Sequence, residues 1–131
     1  MSGISNLQSL LKSMSPKLQE GVFVFCTLSH DDLKKISVTP QMTYKEKEGI
    51  SVVLKEEEAK TEGLQYEYTW SLITLNVHSD LDAVGFLAAI LPKLGEAGIS
   101  VNVVSAYYHD HLFIPADKSS AAMNVLQEFS I

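Results

Sequence analysis

The sequence predicts an α+β fold with an antiparallel sheet and helices on one face, built twice in tandem. Residues 71–131 carry, in order, a β-branched apolar strand, a helix, two strands and a second helix. A strand, a helix and a return strand form a right-handed crossover, which places the helices against the sheet. Residues 22–61 repeat this order with a shorter first helix. The chain is therefore predicted to divide into two domains, 1-63 and 64-131.

The second half contains the clearest elements. Branched apolar residues predict a strand at 71–77, and apolar residues at helical spacing predict a helix at 83–97. Pro92 lies inside that helix, where proline removes a backbone hydrogen bond, so we expect a kink or two short helices. The elements that follow are a strand at 99–104, a strand pair that turns near His109 and Asp110, and a last helix within 116–129.

The first half predicts a weaker copy of the same unit. Residues 22–28 are apolar on both faces, as in a central strand, and residues 29–36 support only about two helical turns. The elements that follow are a strand-like segment at 36–39, strands at 42–47 and 50–54 joined by a turn at Glu48 and Gly49, and a helix at 55–61.

Composition excludes some classes of partner and location. Of the 131 residues, 46% are hydrophobic and 20% are charged, which indicates a globular chain. The formal net charge of −6 argues against nucleic-acid or anionic-membrane partners, because phosphate groups are bound mainly by clustered lysine and arginine. Residues 4–14 form an amphipathic helical stripe rather than a signal peptide, and no apolar run reaches membrane-spanning length. We therefore expect a cytoplasmic protein in which Cys26 is a small buried hydrophobic residue.

The first strand of the second half ends in a loop rich in helix-capping residues. Ser79 and Asp82 lie three residues apart, which approximates a capping box, and Asp80 is an alternative cap. Acidic residues stabilise any helix start through the helix dipole, so capping alone competes with ligand binding as their role. Asn102 lies in an otherwise apolar strand, where a buried amide needs a hydrogen-bond partner. A structural hydrogen bond to a neighbouring loop or chain is its alternative role.

Three segments of the second half resemble the ACT domain family of small amino-acid-sensing modules, and in particular its compact bacterial tandem proteins. These segments are residues 77–85, 98–104 and 108–115, and Glu48-Gly49-Ile50-Ser51 is the corresponding signature in the first half. The resemblance implies ferredoxin-like βαββαβ units in tandem. It also implies that sheets pair side by side and bind an amino acid at their interface.

The resemblance places the ligand site in the loop after the first strand and in the second strand of the second half. The implied ligand-binding residues are Ser79, Asp80, Leu81, Asp82, Ala83, Val84, Gly85 and Asn102. A zwitterionic ligand needs N–H donors for its carboxylate, which a helix start at 81–84 offers, and oxygen acceptors for its ammonium. Gly85 has no side chain and allows a close approach of ligand or backbone. The first half departs from the family pattern in its shortened first helix.

The residues and the resemblance together predict a regulatory protein that binds a small molecule, in particular an amino acid, without catalysis, cofactor or metal. The expected partners are this ligand, a second copy of the chain in a homodimer or higher homo-oligomer, and a separate target protein. One alternative is a metal-dependent enzyme, with His78, His109 and His111 as three ligands. Another is a purely structural dimerisation module, because an open sheet edge favours self-association.

Overall fold

The computed structural model describes residues 6–77 and 85–130, and the chain divides into two compact units. The first unit combines Met1–Glu20 with Ser71–Ile131, and the second is Gly21–Trp70. The second unit is therefore an insertion between two parts of the first. The N-terminal helix packs into the core of the second half.

Helices and strands follow each other in the order expected of a tandem α+β chain. The elements are α1 (Leu7–Lys12), β1 (Pro16–Leu18), β2 (Phe23–Leu28), α2 (His30–Lys35), β3 (Met42–Lys45), β4 (Ile50–Lys55), α3 (Glu56–Thr61), β5 (Trp70–Leu75), α4 (Phe86–Glu96), β6 (Asn102–Ser105), β7 (Asp110–Pro115) and α5 (Ser119–Gln127). Short 3-10 helices, Ala116–Lys118 and Glu128–Ser130, flank α5. The predicted α+β class is confirmed.

The strands of the first unit lie in the order β1, β5, β7, β6. β1 pairs antiparallel with β5, with Pro16 opposite Leu75, and β6 pairs antiparallel with β7, with Asn102 opposite Phe113. β6 is the edge strand of this order. The sequence did not predict β1, which gives the unit its fourth strand and completes the ferredoxin-like pattern.

One face of the first unit's sheet packs against α1, α4 and α5. The buried residues of this core include Leu10, Ile73, Leu75, Ile90, Leu112, Ile114 and Leu126. Residues that alternate with these along a strand point to the opposite face of a sheet. Thr74 and His111 therefore lie on the face that the three helices do not cover.

The second unit places β4 between β3 and β2. Cys26 of β2 lies opposite Val52, and Phe23 lies opposite Trp70 at the start of β5. The Cys26 side chain is buried, as predicted, and this burial raises the pKa of its thiol. The core of the second unit contains Cys26 together with Val24, Leu28, Ile50, Leu54 and Ala59.

The segment after α2 corrects one prediction. The Ser29 hydroxyl caps α2 by accepting a 3.1 Å hydrogen bond from the Asp32 N–H, and the helix ends at Lys35. The predicted strand at 36–39 is wrong, because these residues join no strand ladder. Instead, the Ser37 N–H and hydroxyl donate to a Glu62 carboxylate oxygen at 3.3 and 2.7 Å.

The proline in the long helix of the second half leaves that helix whole. α4 runs from Phe86 to Glu96 with Pro92 inside it, so the prediction of two short helices is wrong. Proline has no N–H, so the Ala88 carbonyl lacks its usual hydrogen bond from residue 92. Both Ala88 and Pro92 are exposed residues. Water can satisfy that carbonyl. The helix was predicted to begin at 83, but Gly85, with a left-handed φ of 88°, precedes it, and positions 83 and 84 lie outside the described residues.

Candidate functional site

Most of the predicted ligand loop lies outside the described residues. This applies to Ser79, Asp80, Leu81, Asp82, Ala83 and Val84, and also to His78. Gly85 and Asn102 are the predicted site residues that the structure places.

Gly85 occupies the position immediately before α4. Its φ of 88° is left-handed, a conformation that a side chain disfavours, and its carbonyl accepts the Ala89 N–H at 2.9 Å. A Cβ at Gly85 would lie 3.7 Å from Leu7 Cδ2, which is ordinary packing distance. The requirement for glycine here therefore comes from the backbone conformation at the helix start rather than from lack of space.

Asn102 begins the edge strand β6 and its side chain is exposed. It forms no side-chain hydrogen bond with other residues in 6–77 or 85–130. An exposed amide needs no partner within the protein, so the argument from a buried amide does not apply. The Asn102 amide instead keeps its two donors and its acceptor oxygen available.

The structure brings together a polar group that the sequence did not single out. Gln19, just after β1, donates from Nε2 to Thr74 Oγ1 at 3.1 Å, and Thr74 Oγ1 lies 2.9 Å from His111 Nδ1. Thr74 is buried, with 6% of its surface exposed, whereas Gln19 and His111 are half-buried. A threonine inside an apolar strand is a sequence signal for such a contact. The short β1 that carries Gln19 gives no comparable signal.

Asn102 shares a sheet face with this polar group. Phe113, opposite Asn102, lies two residues along β7 from His111, and residues two apart on a strand share a face. We call the residues Gln19, Thr74, Asn102 and His111 the polar face. It lies on the side of the first unit's sheet away from α1, α4 and α5.

The electrostatic surroundings of His111 favour its neutral form. Burial lowers the pKa of His111 below its ordinary value, and repulsion from His109 lowers it further. Attraction to Asp110 partly offsets both effects.

His109 and His111 lie close together at the turn between β6 and β7. Their ring centroids are 6.3 Å apart with an angle of 79° between the ring planes, and His111 Nδ1 already contacts Thr74. Within 6–77 and 85–130, no group of three metal-ligating side chains comes together. The third histidine of that hypothesis, His78, lies outside this part of the chain.

Comparison with protein families matches both halves of the chain. Models of the ACT domain match residues 2–71 and residues 65–128. The chain belongs to the ACT domain family. The two matches overlap around β5, where the second unit ends and the first resumes. The predicted tandem arrangement of ACT domains is confirmed.

Solved structures share this ACT fold. A Vibrio cholerae protein of unknown function, described as a possible transport protein, is 45% identical, with a TM-score of 0.85 over 99% of this chain and 100% of that chain. The ligand-free regulatory subunit of aspartate kinase from Thermus thermophilus is 10% identical, with a TM-score of 0.69 over 89% and 97%. Escherichia coli aspartokinase III in complex with aspartate and ADP is 9% identical, with a TM-score of 0.65 over 87% of this chain and 32% of that one.

The ACT assignment supports a ligand-binding regulatory role for the chain. None of the curated proteins compared with the chain matches it. Among the described helices, none is both long enough and apolar enough to cross a membrane.

Proposed function

We propose that this ACT-domain chain binds a small amino acid, or a metabolite that likewise carries both a carboxylate and an ammonium group, and thereby regulates a separate target protein. It performs no catalysis of its own. The observation that carries this proposal is the pair of ACT matches, at 2–71 and 65–128, which leaves little of the sequence outside sensing modules. The aspartate kinase regulatory subunit and aspartate-bound aspartokinase III that share the fold supply the analogy for an amino-acid ligand.

The proposed ligand site lies in the second half of the chain. It consists of Ser79, Asp80, Leu81, Asp82, Ala83, Val84 and Gly85, together with Asn102. N–H groups at the start of the helix bind the carboxylate, and oxygens of the aspartates and Asn102 accept from the ammonium. Two features support the site: the left-handed Gly85 ahead of α4, and the exposed Asn102 amide without a partner in the described part of the chain.

A second copy of the chain is part of the proposal. β6 is an edge strand, and its Asn102 lies where a neighbouring sheet would meet this one. Side-by-side pairing in a homodimer or higher homo-oligomer would bring the exposed amide close to the partner's loop. Sedimentation with and without ligand measures this association.

Thermal unfolding against each of the twenty amino acids tests the proposal. A ligand that binds only the folded state, at one hundred times its dissociation constant, adds about 2.7 kcal/mol to the free energy of unfolding. This corresponds to a rise of several degrees in Tm for a chain of this size. We expect one amino acid, or a chemically related few, to give the shift.

Two amide variants separate binding from general stability. Asn102→Ala should abolish the ligand-induced shift, whereas Asn124→Ala, which removes an equally exposed amide from α5, should keep it. Asp82→Ala should weaken the shift as well. Equal thermal shifts in wild type and Asn102→Ala would remove Asn102 from the site, and no shift with any amino acid would refute the proposed ligand class.

A further inference from the structure

The hydrogen bonds around Thr74 favour one position for the proton on the His111 ring. The Thr74 hydroxyl is buried and accepts from Gln19 Nε2, so its own hydrogen needs an acceptor. His111 Nδ1, at 2.9 Å, is the acceptor within reach. With Thr74 as the donor, Nδ1 is unprotonated and the proton of the neutral ring lies on Nε2.

The Nε2 atom of His111 has no hydrogen-bond partner among residues 6–77 and 85–130. No buried side-chain nitrogen or oxygen in this part of the chain lacks a partner. The described residues therefore leave this unpaired Nε2 accessible. The polar face thus presents the Nε2–H of His111 as a donor, and the contact of Nδ1 with Thr74, which itself bonds Gln19, orients the ring.

A positive charge lies on the same face. Lys17 of β1 is directly opposite Thr74 in the β1–β5 register, and paired residues point to the same side of a sheet. Its side chain is exposed and makes no ion pair with the described residues. Lys17 and His111 flank Thr74 on either side, and their backbones are about 10 Å apart, which is two strand spacings. Side chains as long as lysine and histidine on one face can reach a small group between two such strands.

We propose that Lys17 and His111 bind a carboxylate group on the polar face, at a site formed by residues other than those of the 79–85 segment. One cation and one neutral N–H donor match a single negative charge. A doubly charged phosphate is disfavoured, because Asp110 adjoins His111 and the chain carries a net charge of −6. The ligand class is therefore a small organic monocarboxylate.

Nuclear magnetic resonance of the ¹⁵N-labelled full chain tests the arrangement of protons. Long-range ¹H–¹⁵N correlations at neutral pH, assigned by comparison with His111→Gln, should show a neutral ring protonated at Nε2. Thr74→Val keeps the β-branched shape but removes the hydroxyl, and it should release the ring to a mixture of tautomers. A proton on Nδ1 in the wild type, or an unchanged tautomer in a folded Thr74→Val protein, would overturn the assignment of His111.

A titration with sodium acetate, with sodium chloride at equal ionic strength as the reference, tests binding. Acetate should shift the His111 Nε2 resonance saturably while chloride does not. Lys17→Gln should abolish that shift, and Lys118→Gln, which removes an exposed lysine next to α5, should preserve it. Equal responses to acetate and chloride, or an intact acetate response in Lys17→Gln, would refute the site.

The same variants separate this site from the proposed amino-acid site. Lys17→Gln should leave the amino-acid thermal shift intact, whereas Asn102→Ala should leave the acetate response of His111 intact. Loss of one response in a variant therefore identifies which of the two sites has failed.

Discussion

Phe23 and Trp70 lie directly opposite each other on neighbouring strands of the second unit. The same Trp70 ring meets the ring of Phe25 edge-on, with centroids 5.7 Å apart and an angle of 68° between the planes. Edge-on aromatic pairs add to the stabilisation that area burial alone provides. Trp70, the first residue of β5, is therefore the last residue of the second unit and packs within it.

Trp70→Ala should destabilise the second unit. Trp70 is half-buried, so we expect a loss of about 2–3 kcal/mol in the free energy of unfolding, at the low end for an aromatic side chain. Tyr68→Ala is the control, because Tyr68 is 68% exposed and should change stability by less than about 0.5 kcal/mol. Urea unfolding followed by circular dichroism measures both. Similar values for the two variants would contradict a structural role of Trp70.

Replacing glycine with alanine should have opposite effects on the free energy of unfolding at Gly49 and at Gly95. A Cβ at Gly49 would lie 2.9 Å from Thr27 Oγ1 and 3.2 Å from the Leu28 carbonyl oxygen, so Gly49→Ala should cost about 1–3 kcal/mol. Gly95, in α4, has no atom within 4 Å of the added Cβ, so Gly95→Ala should add about 0.5–1 kcal/mol. Denaturant midpoints of the two variants should move in opposite directions, and a shift of both in one direction would contradict this account.

Stability should decrease as pH falls below the ordinary pKa of histidine, about 6.5. Because His111 has a lowered pKa in the folded state, the unfolded chain binds more protons than the folded chain between that value and the ordinary one. The contribution of neutral His111 is present above about pH 6.5 and is lost as pH falls toward its lower folded-state pKa.

Variants at two histidines isolate this dependence. Apart from burial, His109 and Asp110, on the same hairpin, are the charged groups that shift the pKa of His111. Its neighbours on the adjacent strands, Val104 and Thr74, do not titrate, and Lys17 lies one strand beyond Thr74. His111→Gln should flatten the profile of unfolding free energy against pH, whereas His30→Gln, at an exposed position, should not. A slope that persists in His111→Gln would assign the effect to another group.

The segment 64–131 should not fold alone. It lacks β1 and the fully buried Leu10 and Met14, each of which is worth about 2–5 kcal/mol in a domain whose total stability is about 5–15 kcal/mol. Its circular dichroism and proton chemical-shift dispersion should be those of an unfolded chain. Cooperative unfolding of this fragment would show that the N-terminal segment is dispensable.

A shortened chain provides the matched control for that fragment. The Gln19 N–H donates to the Leu72 carbonyl at 2.8 Å, so β1 and β5 already approach as the two strands of a hairpin. Replacing Gly21–Trp70 with Asn-Gly, which favours a two-residue hairpin turn, should give a folded first unit. Failure of this shortened chain to fold would mean that the first unit depends on the second.

Elements with strong local patterns were predictable from sequence. The helical spacing of Leu87, Leu91 and Leu94 predicted a helix, which the structure has at Phe86–Glu96, and Gly98 after it is left-handed as expected. The buried face of that helix consists of Phe86, Ile90 and Leu94, whereas Leu87 and Leu91 are only partly buried. The three residues of β1 carry no such pattern, because their partner in β5 is more than fifty positions away and three residues are too few for a periodicity. The strand expected at 36–39 failed because the hydrogen bonds of Ser37 go to Glu62.

The candidate site was predictable only in part, because some of its contacts join residues that are far apart in the sequence and leave no local pattern. Gly85 and Asn102 belong to recognisable segments of the second half, and the described structure explains the glycine by its φ of 88°. The contact of Gln19 with Thr74, and of Thr74 with His111, joins residues from three distant parts of the sequence. Pair contacts of this kind depend on strand order, which residue type and spacing do not specify.

The insertion of Gly21–Trp70 within the first unit affects how the chain folds during translation. The second unit is complete once the ribosome has released residue 70, whereas α1 and β1, made first, must wait for β5 and the helices that follow. At about 5–20 residues per second, synthesis of the inserted segment alone takes roughly 3–10 s. During that interval the apolar side chains of Leu10 and Met14 have no core to enter, so they stay exposed until β5 and the helices after it have been made.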